Sequence, residues 1–186
     1  MTMRSTQERY GSVAIALHWG SAGAILALVP MGFAMQATEG AARVGLYRAH
    51  VAIGLLALAL TLARVAWRVF GERERPATLP APEWQRRAAR IVHGALIVAL
   101  LALGVSGIGM MVLSGAGAPL FGEGLAPLPG AFDAYPPRAL HGRVAIVLLA
   151  LLALHVAGAL MHHLVVRDAT LTRMLPARGA QTLRPT

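Results

Sequence analysis

Seven histidines, His18, His50, His93, His141, His155, His162 and His163, are the residues of this 186-residue chain best able to do chemistry. Five of them lie in or at the edge of long apolar runs, where a polar side chain is costly unless it finds a partner. A single such histidine serves equally well as a hydrogen-bond partner of a neighbouring helix or as a metal ligand. Cysteine is absent, which removes disulfides, thiolate zinc sites, iron–sulfur clusters and covalent haem attachment through C-x-x-C-H. A metal in quantity would therefore rest on imidazole. Spacing adds geometry: His141 and His155 are 14 residues apart, a rise of about 21 Å along one helix with both within about 40° of the same face.

The composition says which elements must position these residues. The chain is 56% hydrophobic and 13% charged, with a mean hydropathy of +0.60. A soluble domain carries roughly twice that charged fraction, so much of the surface belongs in lipid. About 20 apolar residues in helical form span a bilayer core, and four uncharged stretches meet or approach that length: Gly11 to Thr38, Ala49 to Ala63, Ile91 to Gly122 and Val144 to Val166. The first runs past Pro30, which predicts a kink or an end near one interface. The second is short; it needs Arg48 and Arg64 to snorkel from its ends, with Trp67 in the interfacial belt. The third is expected to end at the Ser114-Gly115-Ala116-Gly117-Ala118-Pro119 breaker. The expectation is an all-α, integral membrane four-helix bundle, a single domain over 1–186 with spans at approximately 12–36, 46–69, 88–113 and 139–166.

A formal charge of +9, from 17 arginines and no lysine against eight acids, points to nucleic acid only until the arginines are placed. Arg4 and Arg9, the seven from Arg64 to Arg90 and the four from Arg167 to Arg184 fall on one side of a four-span chain. Arg43, Arg48, Arg138 and Arg143 fall on the other. The positive-inside rule then puts both termini in the cytoplasm, and the basic charge becomes topology rather than a sign of nucleic acid. The first apolar run is as long as a full span and carries His18, so it is expected to be retained rather than cleaved as a signal peptide. The Gly/Pro-rich stretch from Ser114 to Pro137 is expected as the longest outer loop, and Gly71 to Pro82 belongs to the inner one.

This topology sorts the histidines by depth. His18 starts the first span in the inner half, and His50 starts the second in the outer half. The fourth span descends from His141 in the outer layer to His155 in the inner one. Matching depths pair His18 with His155 and His50 with His141. Two bis-histidine pairs stacked across a four-helix bundle are what two b-type haems need, whereas zinc or copper wants three or four ligands at one depth and no acid lies in a span to complete such a set. Gly54 and Gly158, one turn from His50 and His155, and Gly104 and Gly107 on the third span give either room for flat porphyrin faces or close helix packing. His162, two turns past His155 on nearly the same face, suits the inner interface, where it could anchor haem propionates or donate to a quinone carbonyl. His93 lacks a free partner at its depth and reads as adjacent to a ligand or to quinone, and His163 as solvated.

These residues resemble the prokaryotic cytochrome b561 family over nearly the whole length. The resemblance rests on RYGSVAIALHW around His18, RAHVAIGLLALALTLARVAWR around His50, the PLFGEGLAPLPG loop and, most specifically, LHGRVAIVLLALLALHVAGALMHHLVVRDATLTRMLP. It implies an inner-membrane protein with two non-covalent haem b groups, held by His18 and His155 on the cytoplasmic side and by His50 and His141 on the periplasmic side. It further implies electron transfer from periplasmic superoxide to ubiquinone, with the quinone near His162. Arg48 and Arg143, two residues from His50 and His141, are the candidates for attracting the anion. Their alternative role is pairing with haem propionates or lipid phosphates.

The expected partners are the lipid bilayer, superoxide and ubiquinone, with no nucleic acid and no obligatory protein partner. The main rival is a haem-carrying anchor subunit between a dehydrogenase or hydrogenase and the quinone pool; short loops offer little docking surface for one. A non-redox histidine-bearing bundle or transporter is the third class, and it predicts no Soret band.

Overall fold

A computed structural model describes residues 2–72, 74, 76–122 and 132–176. The helices are α1 (Ser12–Ala37), α2 (Gly40–Ala66), α3 (Glu83–Ser114), a short α4 (Gly117–Phe121) and α5 (Pro136–Met161). α2 continues through a π-type turn at Trp67–Gly71, and α5 through another at His162–Val166. With these turns included, Ser12–Ala37, Gly40–Gly71, Glu83–Ser114 and Pro136–Val166 are each long and apolar enough to cross a membrane. No strand occurs among the described residues. The all-α four-helix membrane bundle expected from composition is therefore the architecture observed. Hydrocarbon offers the backbone no hydrogen-bond partner, so long apolar runs satisfy it internally as helix.

Local chemistry sets the joints. Pro30 does not end α1, which runs on to Ala37. Only Thr38 and Glu39 separate α1 from α2, and Gly40 takes the left-handed backbone (φ +62°) that this tight reversal needs. The Thr38 hydroxyl donates to the Ala34 carbonyl at 2.7 Å and closes the end of α1. Gly115 is left-handed (φ +67°) and ends α3, and prolines at the first turn of α5 are placed where no helical N–H is lost. Residues 123–131, in the middle of the loop expected between Ser114 and Pro137, lie outside the described residues, as do Arg73, Arg75, Arg178 and Arg184 of the arginine count.

α1 packs along α2 and α3 along α5, and α2 and α3 join the two pairs. The central apolar cluster takes Ile25 from α1, Ala99 and Leu100 from α3 and Leu148 from α5. It is thin. Leu26, Val105 and Ile146 are each about two-thirds exposed (67–69%), an arrangement suited to a lipid surround rather than water. The buried hydroxyls of the helices are satisfied within those helices: Ser21 donates to Leu17, Thr61 to Ala57 and Ser106 to Leu103.

The bundle end where α1 begins and α5 finishes, the near end, is laced by hydrogen bonds between distant segments. Ser5 Oγ and Trp67 Nε1 both donate to Glu72 Oε1, at 2.8 and 3.0 Å. Arg9 donates to the Leu175 carbonyl at 3.0 Å, Trp19 Nε1 to the Met174 carbonyl at 2.8 Å and Arg173 to the Ala77 carbonyl at 2.7 Å. The opposite, far end carries the α1–α2 reversal and the start of α5.

Candidate functional site

Antiparallel packing brings histidines from different helices together at two depths. Toward the near end, His18 of α1 and His155 of α5 have ring centres 6.1 Å apart. Toward the far end, His50 of α2 and His141 of α5 are 6.3 Å apart. All four are half-buried. A metal bound by one imidazole nitrogen on each side at about 2 Å separates the two ring centres by about 6 Å, so both spacings fit bis-histidine ligation of an iron.

The donor inventory fits as well. Among the described residues His50 Nδ1 is buried without a hydrogen-bond partner, and a buried ring nitrogen without a partner is uncommon unless something else engages the ring. His141 Nδ1 lies 3.0 Å from Ser106 Oγ. The single proton of that hydroxyl goes to the Leu103 carbonyl at 3.1 Å, so Ser106 accepts from His141 Nδ1–H. That tautomer leaves the His141 Nε2 lone pair free for a metal.

Glycines frame the far pair. A Cβ on Gly107 would lie 3.7 Å from the His141 ring, and one on Gly32 would lie 4.0 Å from the His50 ring. Gly54 and Gly158 face open space. Gly104 differs: a Cβ there would come within 2.7 Å of the Leu58 side chain, so it serves close helix packing. Gly32 was not singled out by its spacing from any histidine on its own helix, since it approaches His50 from across the α1–α2 interface.

One near-end residue departs from expectation. Arg64 does not snorkel outward; it is half-buried, with Nη2 3.5 Å from His18 Nδ1. The packing of α1 on α2 turns it inward. His93, expected beside a ligand or quinone rather than as a ligand itself, has its ring centre 5.1 Å from that of His155, because α3 lies along α5. His93 itself remains exposed. Just before it on α3 stands Arg90, one of three arginines gathered around Glu83 together with Arg86 and Arg87.

His162 opens the π-type turn at the end of α5, two turns beyond His155. Its Nδ1 lies 2.6 Å from Asp168 Oδ2, and Asp168 Oδ1 accepts the Thr170 N–H at 2.8 Å. Partial burial alone would raise the Asp168 carboxyl, but hydrogen bonds from Thr170 and His162 outweigh it and hold the carboxyl below its ordinary range. The sequence singled out His162 and not Asp168. A six-residue separation shares no helical face, so no periodic signal marks the pair. His163 is exposed. An open apolar groove of about 520 Å³ lies at the same end, lined by Ser12, Ile15, Ala16, Trp19, Leu175 and Pro176, with His162 outside its lining.

At the far end Arg48 and Arg143 are both exposed. Their neighbours are engaged: Arg138 pairs with Asp133 at 3.5 Å, and the Arg43 guanidinium lies over the Tyr47 ring at 5.7 Å.

Comparison with known proteins adds a family. The sequence pattern described as prokaryotic cytochrome b561 matches residues 9–177. The chain is 32% identical over 184 residues to cytochrome b561 homolog 2 of Escherichia coli, covering 94% of this chain and 95% of that protein. It is 35% identical over 182 residues to cytochrome b562 of Cereibacter sphaeroides, covering 93% and 99%. Cytochrome b561 homolog 1 of Escherichia coli is 35% identical over 101 residues, covering 53% and 57%.

Proposed function

This chain belongs to the prokaryotic cytochrome b561 family, and on that premise we propose that it oxidises superoxide on the periplasmic side of a bacterial inner membrane and reduces ubiquinone on the cytoplasmic side, with two bound haem b groups. Family membership makes it a multi-pass membrane protein of haem b electron transfer. The observation that carries the two-haem part of this reading is the pair of ring separations, 6.1 Å and 6.3 Å, at opposite depths of one bundle. His18 and His155 would hold one haem, and His50 and His141 the other. Bound there, the haems supply one-electron chemistry at two depths of the membrane.

The chain's own residues supply orientation, charge and protons. The arginine distribution supports a cytoplasmic near end. At the far end, Arg48 and Arg143 raise the local concentration and encounter rate of a small anion. Each quinone reduced to quinol takes two electrons, from two superoxide ions that leave as dioxygen, and two protons from the cytoplasmic edge. His162 suits proton delivery there, since one imidazole nitrogen can hold a proton while the other takes one up and passes it on. The apolar groove beside Trp19 offers the same end a place for an apolar ligand body.

Buried charge supports the direction. Arg64 places a guanidinium beside the near pair, which favours an added electron there. Ser106 accepts from His141 at the far pair, which makes that imidazole a stronger donor and favours the oxidised state. The purified protein, mixed with superoxide and no partner, should show rapid reduction of its haem bands, followed by reoxidation on adding ubiquinone-1. If the bands stay oxidised until a dehydrogenase or hydrogenase is added, the chain is an anchor subunit instead.

A further inference from the structure

The end of α5 is built to bring a carboxylate back onto His162. On a continuing α-helix, residues 162 and 168 would stand about 9 Å apart along the axis and about 240° around it, unable to meet. Instead the chain widens into the π-type turn His162–Val166, and Arg167 takes the left-handed region (φ 57°) that L residues seldom occupy. The Asp168 N–H then donates to the His162 carbonyl at 3.1 Å. This reversal sets Asp168 Oδ2 2.6 Å from His162 Nδ1, with both side chains only about one-fifth exposed (18% and 21%).

Hydrogen-bond bookkeeping at the contact has one solution. A carboxylate only accepts. Oδ1 is taken by the Thr170 N–H at 2.8 Å, so Oδ2 faces Nδ1, and Nδ1 must carry a proton. The other ring nitrogen, Nε2, is then the atom at which His162 gains or loses a proton.

We propose that Asp168 is a positioning residue for proton delivery to the quinone: it fixes His162 as the Nδ1–H form, so that Nε2 alone takes up a cytoplasmic proton and hands it on. This rests on the reading that places ubiquinone beside His162. The balance is simple. Nε2–H gives its proton to the quinone oxygen as the quinone gains electrons from superoxide oxidation, Nδ1–H stays with Asp168, and water re-protonates Nε2 before the second proton is needed.

The molecule contains its own control. α2 ends in the same way, with a π-type turn at Trp67–Gly71, the Glu72 N–H donating to the Trp67 carbonyl at 2.9 Å, and the Glu72 carboxylate accepting from Trp67 Nε1 at 3.0 Å. An indole N–H has no second protonation site to steer, so this acid fastens the turn and the Ser5 hydroxyl and directs no proton.

The test is Asp168→Asn in the full-length, haem-loaded protein. The amide oxygen is needed by the Thr170 N–H, so the NH2 group faces His162 Nδ1 and forces the proton onto Nε2. Ubiquinone-1 reduction should fall about tenfold or more in kcat, within the range such proton transfers contribute, with KM changed by about twofold or less. Haem content and spectra should match the unaltered protein. Nitrogen-15 histidine spectra of the reduced, diamagnetic protein, with the His162 signals identified by their loss in His162→Ala, should show the protonated nitrogen switch from Nδ1 to Nε2. Glu72→Gln should leave both readouts unchanged. A His162→Ala protein that has lost quinone reduction beside an Asp168→Asn protein that keeps it overturns the proposal and leaves the quinone reading standing. A His162→Ala protein that reduces quinone normally removes the reading and the proposal together. Loss of haem or of the folded bundle in Asp168→Asn makes Asp168 structural, and also overturns the proposal.

Discussion

The near and far histidine pairs have nearly the same ring spacing, 6.1 and 6.3 Å, but opposite surroundings. The far pair is dressed with acceptors. His141 donates to Ser106, whose own proton goes to the Leu103 carbonyl. The near pair is dressed with a cation and a third imidazole, Arg64 beside His18 and His93 beside His155. Spacing decides what a pair can hold, whereas its neighbours decide how readily an electron stays there. With haems held as proposed, the difference would favour electron movement from the far end to the near end, the direction the proposed reaction needs.

The comparison breaks first if the pairs are not independent. His155→Ala should remove one of two haems and His141→Ala the other, so that each variant binds half the unaltered amount in a pyridine haemochrome assay. Loss of both haems or of neither in either variant contradicts the layered pairing.

Charge sharpens the comparison next. Replacing Arg64 with Gln should lower the near-site midpoint potential by on the order of 60 mV, a tenfold shift in a one-electron equilibrium, and leave the far site in place. A spectroelectrochemical titration reads both. An unchanged near potential would mean that the guanidinium is screened.

At the far surface, Arg48→Gln combined with Arg143→Gln should slow haem reduction by superoxide severalfold and flatten its dependence on ionic strength. Equal rates in stopped flow would assign these arginines to lipid or propionates. The smallest effect is expected from Ser106→Ala, a rise in far-site potential of about 30 mV or less, because the substitution removes one neutral hydrogen-bond acceptor and no charge. Ser106→Thr should restore the original value.

Much of this molecule was legible without coordinates, for identifiable reasons. Membrane helices announce themselves through length and lack of charge, and alternating direction assigns each residue a depth. His18, His50, His141 and His155 could therefore be sorted before any packing was known. What stayed hidden depended on packing across helices or on how helices end. Arg64 reads as a flanking cation because its inward turn depends on α1 lying against α2. His93 is given a depth by its position in the third span, but which ligand candidate it stands beside depends on α3 lying along α5. Ser106 carried a faint signal, a hydroxyl within an apolar run, but its partner lies 35 positions away. Asp168 was the least legible: it lies beyond the end of the fourth apolar run, and only a reversal through Arg167 returns it to His162.

The most direct measurement of the central claim is an equilibrium redox titration of the purified protein beside the His155→Ala and His141→Ala variants. Two one-electron transitions are expected in the unaltered protein. The higher one should vanish in His155→Ala and the lower one in His141→Ala, giving the near site the greater hold on an electron. A single transition, or the reverse assignment, would contradict the account.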